Sequence, residues 1–500
     1  MFSRSEWLRG CGSILSRRTW VRGPFVADIC IIYARPSKRI VTILHELLSQ
    51  RYSVWWDAHI HSGDYRSQIE SQLQRAKCVI PVWCRISRSD ADVLDEAAYA
   101  QRHGIPLLPI RIEDVELPLG FGNLHTVDLI GWEGNADDVG VRQLLQAVER
   151  TIGSPAPMLN RATYVVLNDN KAELPVFFRS VSSHETALRP VAAIQALKLF
   201  HSEALLVSAY DIINEPIEHR EQIAQDLESC RSAGTLVLLD SGNYEASRKQ
   251  DNTWSVGQLH EALRITPHDA MFCFDDLNPP SDVEGALRGV VKSVEREAQQ
   301  TKKPVLPIVH AIRQTNGEIV FDLIPELLRR VCRELRPQLI AIPERELGSG
   351  ILARARMVYS IRRALDELGF YQPLHLLGTG NPLTIAILSA VGADSFDGLE
   401  WCRTVADSED GRLYHLQQYD FFAWQSEEYA SPIVKEAVTS EKIGYSGKVV
   451  FHNLEFFATW MRQLRDHIRS GKIERFLTDR IPGGADSMEL LGRAVPEIFG

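Results

Sequence analysis

Five hundred residues exceed what one hydrophobic core usually serves, so two or three domains are expected. The hydrophobic share of 45% and charged share of 24% are those of a soluble globular protein, and a formal charge of -10 argues against constitutive tight binding to nucleic acid while leaving room for a local basic face. The eight cysteines are scattered without a CxxC pair, which indicates neither a disulfide framework nor a zinc knuckle, and no apolar run approaches the roughly 20 residues that span a bilayer, so a cytoplasmic protein without membrane contact is expected.

Residues 1–25 are rich in Arg and Ser but lack the apolar core of a secretory signal, and read as a disordered extension or the product of an early start codon. From there to residue 153 strand and helix patterns alternate. Asp28–Tyr33 is an apolar run, followed by the helical spacing Val41, Leu44, Leu47, Leu48. A second run ends in Trp55, Trp56 and Asp57. After a polar loop come a helix over Tyr65–Arg75, a buried strand over Cys78–Trp83, a helix carrying Glu96, and the short run Pro106–Ile112. This alternation describes a parallel sheet with helices on both faces, in which ligands meet the chain just beyond the carboxyl ends of the strands. Tyr33, Trp56, Asp57 and the loop after Trp83 fall there. Trp55 and Trp56 point to opposite faces, and core packing is the plain alternative for the one facing inward.

Gly153, Ser154, Pro155 and Pro157 break both helix and strand, so residues 154–162 are assigned as a linker. Eight apolar runs follow, over Leu174–Val181, Leu205–Asp211, Thr235–Asp240, Ala270–Asp275, Val305–His310, Leu339–Glu344, Leu374–Gly378 and Ser395–Leu399. Most start about 30 to 35 residues apart, the length of a strand with its crossover helix. Eight such units predict a (β/α)₈ barrel over residues 163–482, with its active face at the strand ends and residues 483–500 as a tail. Asp211, Asp240, Asp275, His310, Glu344 and Asp397 each close one of these runs. A single acidic residue there reads first as a helix N-cap. Six ionisable groups around one rim point instead to a cationic or oxocarbenium-like species, or to donor-rich bases, in the mouth.

The segments DICIIYARPSKRIV, VWWDAHIHSGD, AKCVIPVW, DEAAYA, GIPLLPIRI and DLIGW resemble, in order, a bacterial-type TIR domain, a flavodoxin-like parallel-sheet fold. In NAD-cleaving members a glutamate on the helix after the fourth segment works on NAD, and the resemblance places Glu96 in that role. It also implies that Tyr33, Ala34, Arg35, Trp56 and Asp57 frame the NAD cleft and that TIR domains associate with one another, partly through the loop Ala58–Tyr65. Asp92 stands where the family often has Trp.

LPVFFRSVSS, LLDSGNYEA, FCFDDLNP, HLLGTGNPLTIAILSAVGADSFDG and FHNLEFFATWMRQLRDHIRSGKIERFL are similar to the tRNA-guanine transglycosylase superfamily, a TIM barrel. The resemblance makes Asp397 the nucleophile toward the ribose anomeric carbon, Asp240 the second catalytic aspartate, and Asp275, with His310 and Gly378, part of the base pocket. The family's zinc is held by three closely spaced cysteines and a histidine. Only Cys402 and His452 are present here, so no zinc is expected. His310 stands where the family usually has Gln, and PERELG replaces its Gly-rich base-binding loop, so a substrate other than anticodon guanine is expected. Arg462, Arg465, Arg469, Lys472 and Arg475 lie on a helix predicted over Phe456–Leu477, where they meet phosphates or form a solvated face.

Both resemblances imply work on an N-glycosidic bond. The first expectation is an NAD⁺ nucleosidase of antiphage defence, giving nicotinamide and ADP-ribose or a cyclic isomer, with the barrel sensing a nucleic acid or modified nucleobase. The alternative is a base-exchange transglycosylase on RNA or DNA, with the TIR domain as a protein-interaction module. Fold alone does not choose between them.

Overall fold

The computed structural model describes residues 28–49, 52, 54–56, 69–70, 72–74, 76–135, 138–152, 161–184, 186, 188–416, 420, 422–425 and 431–499. Residues 1–25 and nearly all of 154–162 lie outside these. The contacts divide the chain into two compact units, Met1–Pro157 and Met158–Gly500.

In the first unit, strands β1 (Ile29–Tyr33), β2 (Val54–Trp55), β3 (Cys78–Trp83), β4 (Ile110–Arg111) and β5 (Val127–Asp128) form a parallel sheet in the order β2-β1-β3-β4-β5. That is the flavodoxin-like order, which reverses direction between β1 and β3. β1 and β3 are buried throughout because helices cover both faces. Alternate residues feed two separate apolar layers. Ile29, Ile31, Tyr33 and Trp56 pack with helices α1 (Lys38–Ser49) and α3 (Val139–Ile152), while Cys30, Ile32, Ala34 and Trp55 pack with α2 (Ala91–Arg102). Both tryptophans are therefore core residues, one on each face. Of the helix expected over Tyr65–Arg75, residues 69–70 and 72–74 are helical.

In the second unit all eight predicted runs become parallel strands: β8 (Val176–Val181), β9 (Ala204–Ser208), β10 (Leu236–Asp240), β11 (Ala270–Phe272), β12 (Val305–Leu306), β13 (Ile340–Pro343), β14 (Leu374–Leu377) and β15 (Ser395–Gly398). Their order is β12-β11-β10-β9-β8-β15-β14-β13. The two ends meet at one parallel bridge, Ile308 with Ala341, where the Val309 N–H donates to the Ala341 carbonyl at 2.8 Å. Inward residues such as Val176, Phe178, Leu238, Phe272 and Leu306 fill the barrel, and outward ones such as Phe177, Val207, Val237 and Leu239 meet the helices. This burial on both sides is why the strands read as continuous apolar runs.

A hairpin, β6 (Tyr164–Leu167) and β7 (Asn170–Glu173), adds Val165, Leu167 and Ala172 to the barrel interior. It plugs the amino-terminal end, where Asn170 Nδ2 donates to Asp269 at 3.2 Å just before β11. On the same end Asp394, fully buried before β15, accepts from Arg161 Nε (3.0 Å), Arg362 Nη2 (2.8 Å), the Tyr371 hydroxyl (2.6 Å) and the Leu374 N–H (3.0 Å).

The carboxyl-terminal region departs from expectation. The helix predicted over Phe456–Leu477 is instead Tyr445–Arg469, then a break at Gly471 with φ of +67°, then Ile473–Thr478. Two of its five cations are held in structural pairs, while Arg462, Lys472 and Arg475 are exposed. Arg465 is buried against Glu203 (3.0 Å), and Arg469 pairs with Glu173 (3.0 Å). Residues 485–499, set apart above as a tail, form helices Ala485–Ala494 and Pro496–Phe499, and Glu497 pairs with Arg356 at 2.6 Å. Among the described residues no helix is long and apolar enough to cross a membrane.

Candidate functional site

In the first unit the candidate site is the carboxyl edge of the sheet around the β1–β3 reversal. Asp90 caps α2, accepting from the N–H groups of Asp92 (3.1 Å) and Val93 (3.3 Å). Asp92 is exposed in the first turn, where a negative charge faces the positive end of the helix dipole. Val93, Ala97 and Ala100 form the buried stripe of α2, and the half-buried Glu96 borders it. The stripe packs against Ala34 and Trp55.

The NAD-cleft residues named from sequence do not all come to that helix. Ala34 lies on its face of the sheet, and Arg35 is exposed at the start of the short turn Arg35–Ser37. Tyr33 and Trp56, with ring centroids 5.6 Å apart, stand in the opposite layer, where His45 stacks on Trp56. Asp57 and the loop Ala58–Tyr65 lie outside the described residues.

Sequence reading missed a polar knot at this edge. Cys84 Sγ accepts from the Ser37 hydroxyl and the Ser87 N–H, each at 3.4 Å, and the Cys84 N–H donates to the Ser87 hydroxyl at 2.7 Å. Burial pushes the Cys84 thiol up, but these hydrogen bonds carry it below its ordinary value. The other described cysteines are likewise buried free thiols.

The barrel's candidate site is its carboxyl-end mouth. Asp397 on β15 is held by three donors: the Ser180 hydroxyl (2.8 Å), the Gly378 N–H (2.8 Å) and His375 Nε2 (3.2 Å). Gly378, expected in the base pocket, gives this hydrogen bond from a φ of +77°. Asp240 ends β10 and receives the Gly242 N–H at 3.0 Å. Burial, then the nearby charges of Glu245, Asp275 and Asp397, pushes its carboxyl well above the usual range. Thus one carboxyl sits among donors and the other among acids, the arrangement that separates an acid from a nucleophile.

Asp275 lies beyond β11. Its Oδ1 accepts from the Ser241 hydroxyl (2.7 Å) and Asn243 Nδ2 (3.1 Å), and its Oδ2 from His310 Nε2 (2.9 Å). His310 Nδ1 donates to Glu346 at 3.0 Å. Burial alone would favour neutral His310, but Asp275 and Glu346 hold it as an imidazolium, pushed up to about 9. Burial likewise raises both carboxyls, and the hydrogen bonds and charge of His310 bring them below their ordinary values.

Two members of the predicted ring are placed differently. Asp211 belongs to the helix Ala209–Asn214, where it accepts from the N–H (2.8 Å) and hydroxyl of Ser183 and pairs with Lys249 at 3.6 Å. Glu344 turns to Arg354. Sequence reading also missed Glu245 and Glu346. Glu245 is buried five residues after Asp240, and burial followed by Asp211 pushes it to about 7.

The superfamily's zinc does not fit these residues. His452 is fully buried and donates Nε2–H to the Ala406 carbonyl at 2.7 Å, while Cys402 contacts the Thr186 hydroxyl at 3.3 Å. Burial pushes His452 down to about 4. Among the described residues no three His, Cys, Asp or Glu side chains are arranged to hold a metal ion.

The family model of the TIR domain matches residues 29–145. The chain is 21% identical over 340 residues to the tRNA-guanine(15) transglycosylase of Sulfolobus acidocaldarius, covering 65% of this chain and 64% of that protein. It is 22% identical over 312 residues to the same-named protein of Archaeoglobus fulgidus, covering 58% and 61%. It therefore spans less than two-thirds of the length of these relatives. Sheet order, barrel and similarities together make this chain a TIR domain followed by a (β/α)₈ barrel like that of the tRNA-guanine transglycosylases.

Proposed function

We propose that the TIR domain is an NAD⁺ nucleosidase in which Glu96 steadies the ribosyl cation, and that the chain is an antiphage defence effector regulated by its barrel. The supporting observation is that Glu96 is half-buried beside the apolar stripe of α2, the helix that starts just beyond the carboxyl end of β3. In the reaction the bond between the nicotinamide nitrogen and the ribose anomeric carbon breaks, and its electron pair leaves with neutral nicotinamide. Water, losing a proton, or a nucleophile within the same molecule then captures the oxocarbenium ion. A carboxylate stabilises that cation more than it stabilises ground-state NAD. Self-association of TIR domains completes the site, and a nucleobase or nucleic acid at the barrel sets when that happens.

The test is incubation of the full chain with NAD under crowded, assembly-promoting conditions, with products separated by chromatography. Wild type is expected to release nicotinamide, and Glu96→Ala to slow that release by roughly 10²-fold or more, the scale of losing a transition-state electrostatic partner. Equal NAD loss from both proteins would sink the proposal.

A second reading is favoured by the convergence of Asp240, Asp275 and Asp397 on one mouth. In it the barrel exchanges a base in RNA or DNA and the TIR domain recruits partners. Labelled 7-deazaguanine that never enters nucleic acid, with or without Asp397→Ala, rules this out.

A further inference from the structure

The most constrained group in the barrel mouth is Asp275. An ionised carboxylate offers about four acceptor positions, two on each oxygen. Both positions on Oδ1 are taken, by the Ser241 hydroxyl and Asn243 Nδ2. Asn243 is itself fixed, because the same Nδ2 donates to the Asp275 carbonyl at 2.6 Å. On Oδ2 one position holds His310 Nε2–H, which leaves one.

His310 is not free to turn away. Its other nitrogen is held by Glu346, whose second oxygen accepts the Ala311 N–H at 2.7 Å and whose first lies 3.6 Å from Arg313. Asp275, His310 and Glu346 are all buried. Rotating the imidazolium out would leave two buried carboxylates without their shared cation, a costly arrangement.

We infer that His310 sets which nucleobases the barrel accepts, by leaving Asp275 a single vacant acceptor position. A base edge with two adjacent N–H donors, such as the ring N–H and 2-amino group of a 2-amino-6-oxopurine, needs two open acceptor positions for its grip, and because Ser241 and Asn243 fill Oδ1, both must come from Oδ2, where His310 takes one. Asp275 cannot provide it. The base class that fits is a 6-oxopurine edge with one donor beside a carbonyl, for which the missing amino group costs nothing. The inference rests on the reading of the barrel as a nucleobase site and is separate from any NAD chemistry in the TIR domain.

The test is calorimetric binding of 7-deazaguanine and of 7-deazahypoxanthine, which lacks the 2-amino group, to the full chain at pH 7. Wild type is expected to bind the two within about twofold. His310→Ala frees Asp275 and is expected to prefer 7-deazaguanine by about tenfold or more, the ratio one hydrogen bond to a charged acceptor supplies. Because that variant leaves two carboxylates facing each other, His310→Ala/Glu346→Gln serves as the second variant, with the same expected preference and less repulsion. A purely structural role for His310 would alter both affinities together and leave their ratio unchanged.

Wild type preferring 7-deazaguanine tenfold would overturn the inference while leaving the barrel a base-binding site, whatever the variants do. Folded variants that keep the wild-type ratio would overturn it as well. Failure of every folded protein to bind either base would overturn both the inference and the nucleobase reading of the barrel.

Discussion

Replacing His310 by Gln removes the one cation shared by Asp275 and Glu346, and its effect on stability is expected to depend on pH in a defined window. His310 titrates near its ordinary value of 6.5 in the unfolded chain and at about 9 in the folded one. The folded state therefore binds more protons between these values, and stability falls as pH rises through them. At about 1.4 kcal/mol per pH unit the whole contribution is about 3 kcal/mol. His310 is 5% exposed, so solvent screening takes little from that figure. The contribution is fully present below pH 6.5 and lost above about 9. The depressed Asp275 and Glu346 carboxyls express the same coupling from the acid side, present above their ordinary range and lost as pH falls through their folded values, so they are not added again. Guanidinium unfolding of wild type and His310→Gln, followed by near-ultraviolet circular dichroism from pH 6 to 10, reads the difference directly. The wild-type advantage is expected to shrink by about 3 kcal/mol across that range. A difference that stays level would show that His310 is not held as an imidazolium and would refute the reasoning.

Asp394→Ala is expected to destabilise the barrel by about 3–5 kcal/mol in the same unfolding measurement, because Arg161 and Arg362 lose their common buried carboxylate. Asp240→Asn is expected to raise stability at pH 7 by removing an acid whose ionisation the fold disfavours, while abolishing any base exchange that needs its proton. An unchanged or lowered midpoint for Asp240→Asn would contradict the upward shift of that carboxyl.

The eight barrel strands were legible because a strand buried on both faces leaves an unbroken apolar run, and the crossover helices space those runs regularly. The strand-end acids Asp240 and Asp397 were legible for the same reason, since they interrupt such runs. Pairings across long sequence distances were not. Arg465 reads as a surface cation among other basic residues, yet its partner Glu203 lies 262 positions away. Trp55 and Trp56 were known to point oppositely, but which one shares the face of Glu96 depends on helix placement, and the structure gives that place to Trp55.

The exchange of Glu344 for Glu346 shows how local geometry decides chemistry. Glu344, next after β13, was expected to face the mouth because it closes the apolar run. The chain instead enters a 3₁₀ turn over Glu344–Glu346, in which each residue advances about 120° around the axis. Two residues on, Glu346 points inward to His310, and Glu344 is left to Arg354. The turn therefore decides which glutamate meets His310. His310 is thereby held between Asp275 and Glu346, while Asp240, whose carboxyl burial and neighbouring acids push up, and Asp397 with its three donors share the same mouth. If the barrel is the nucleobase site proposed above, base selectivity rests on Asp275 and His310 and bond cleavage on Asp240 and Asp397, and the two are expected to change separately on substitution.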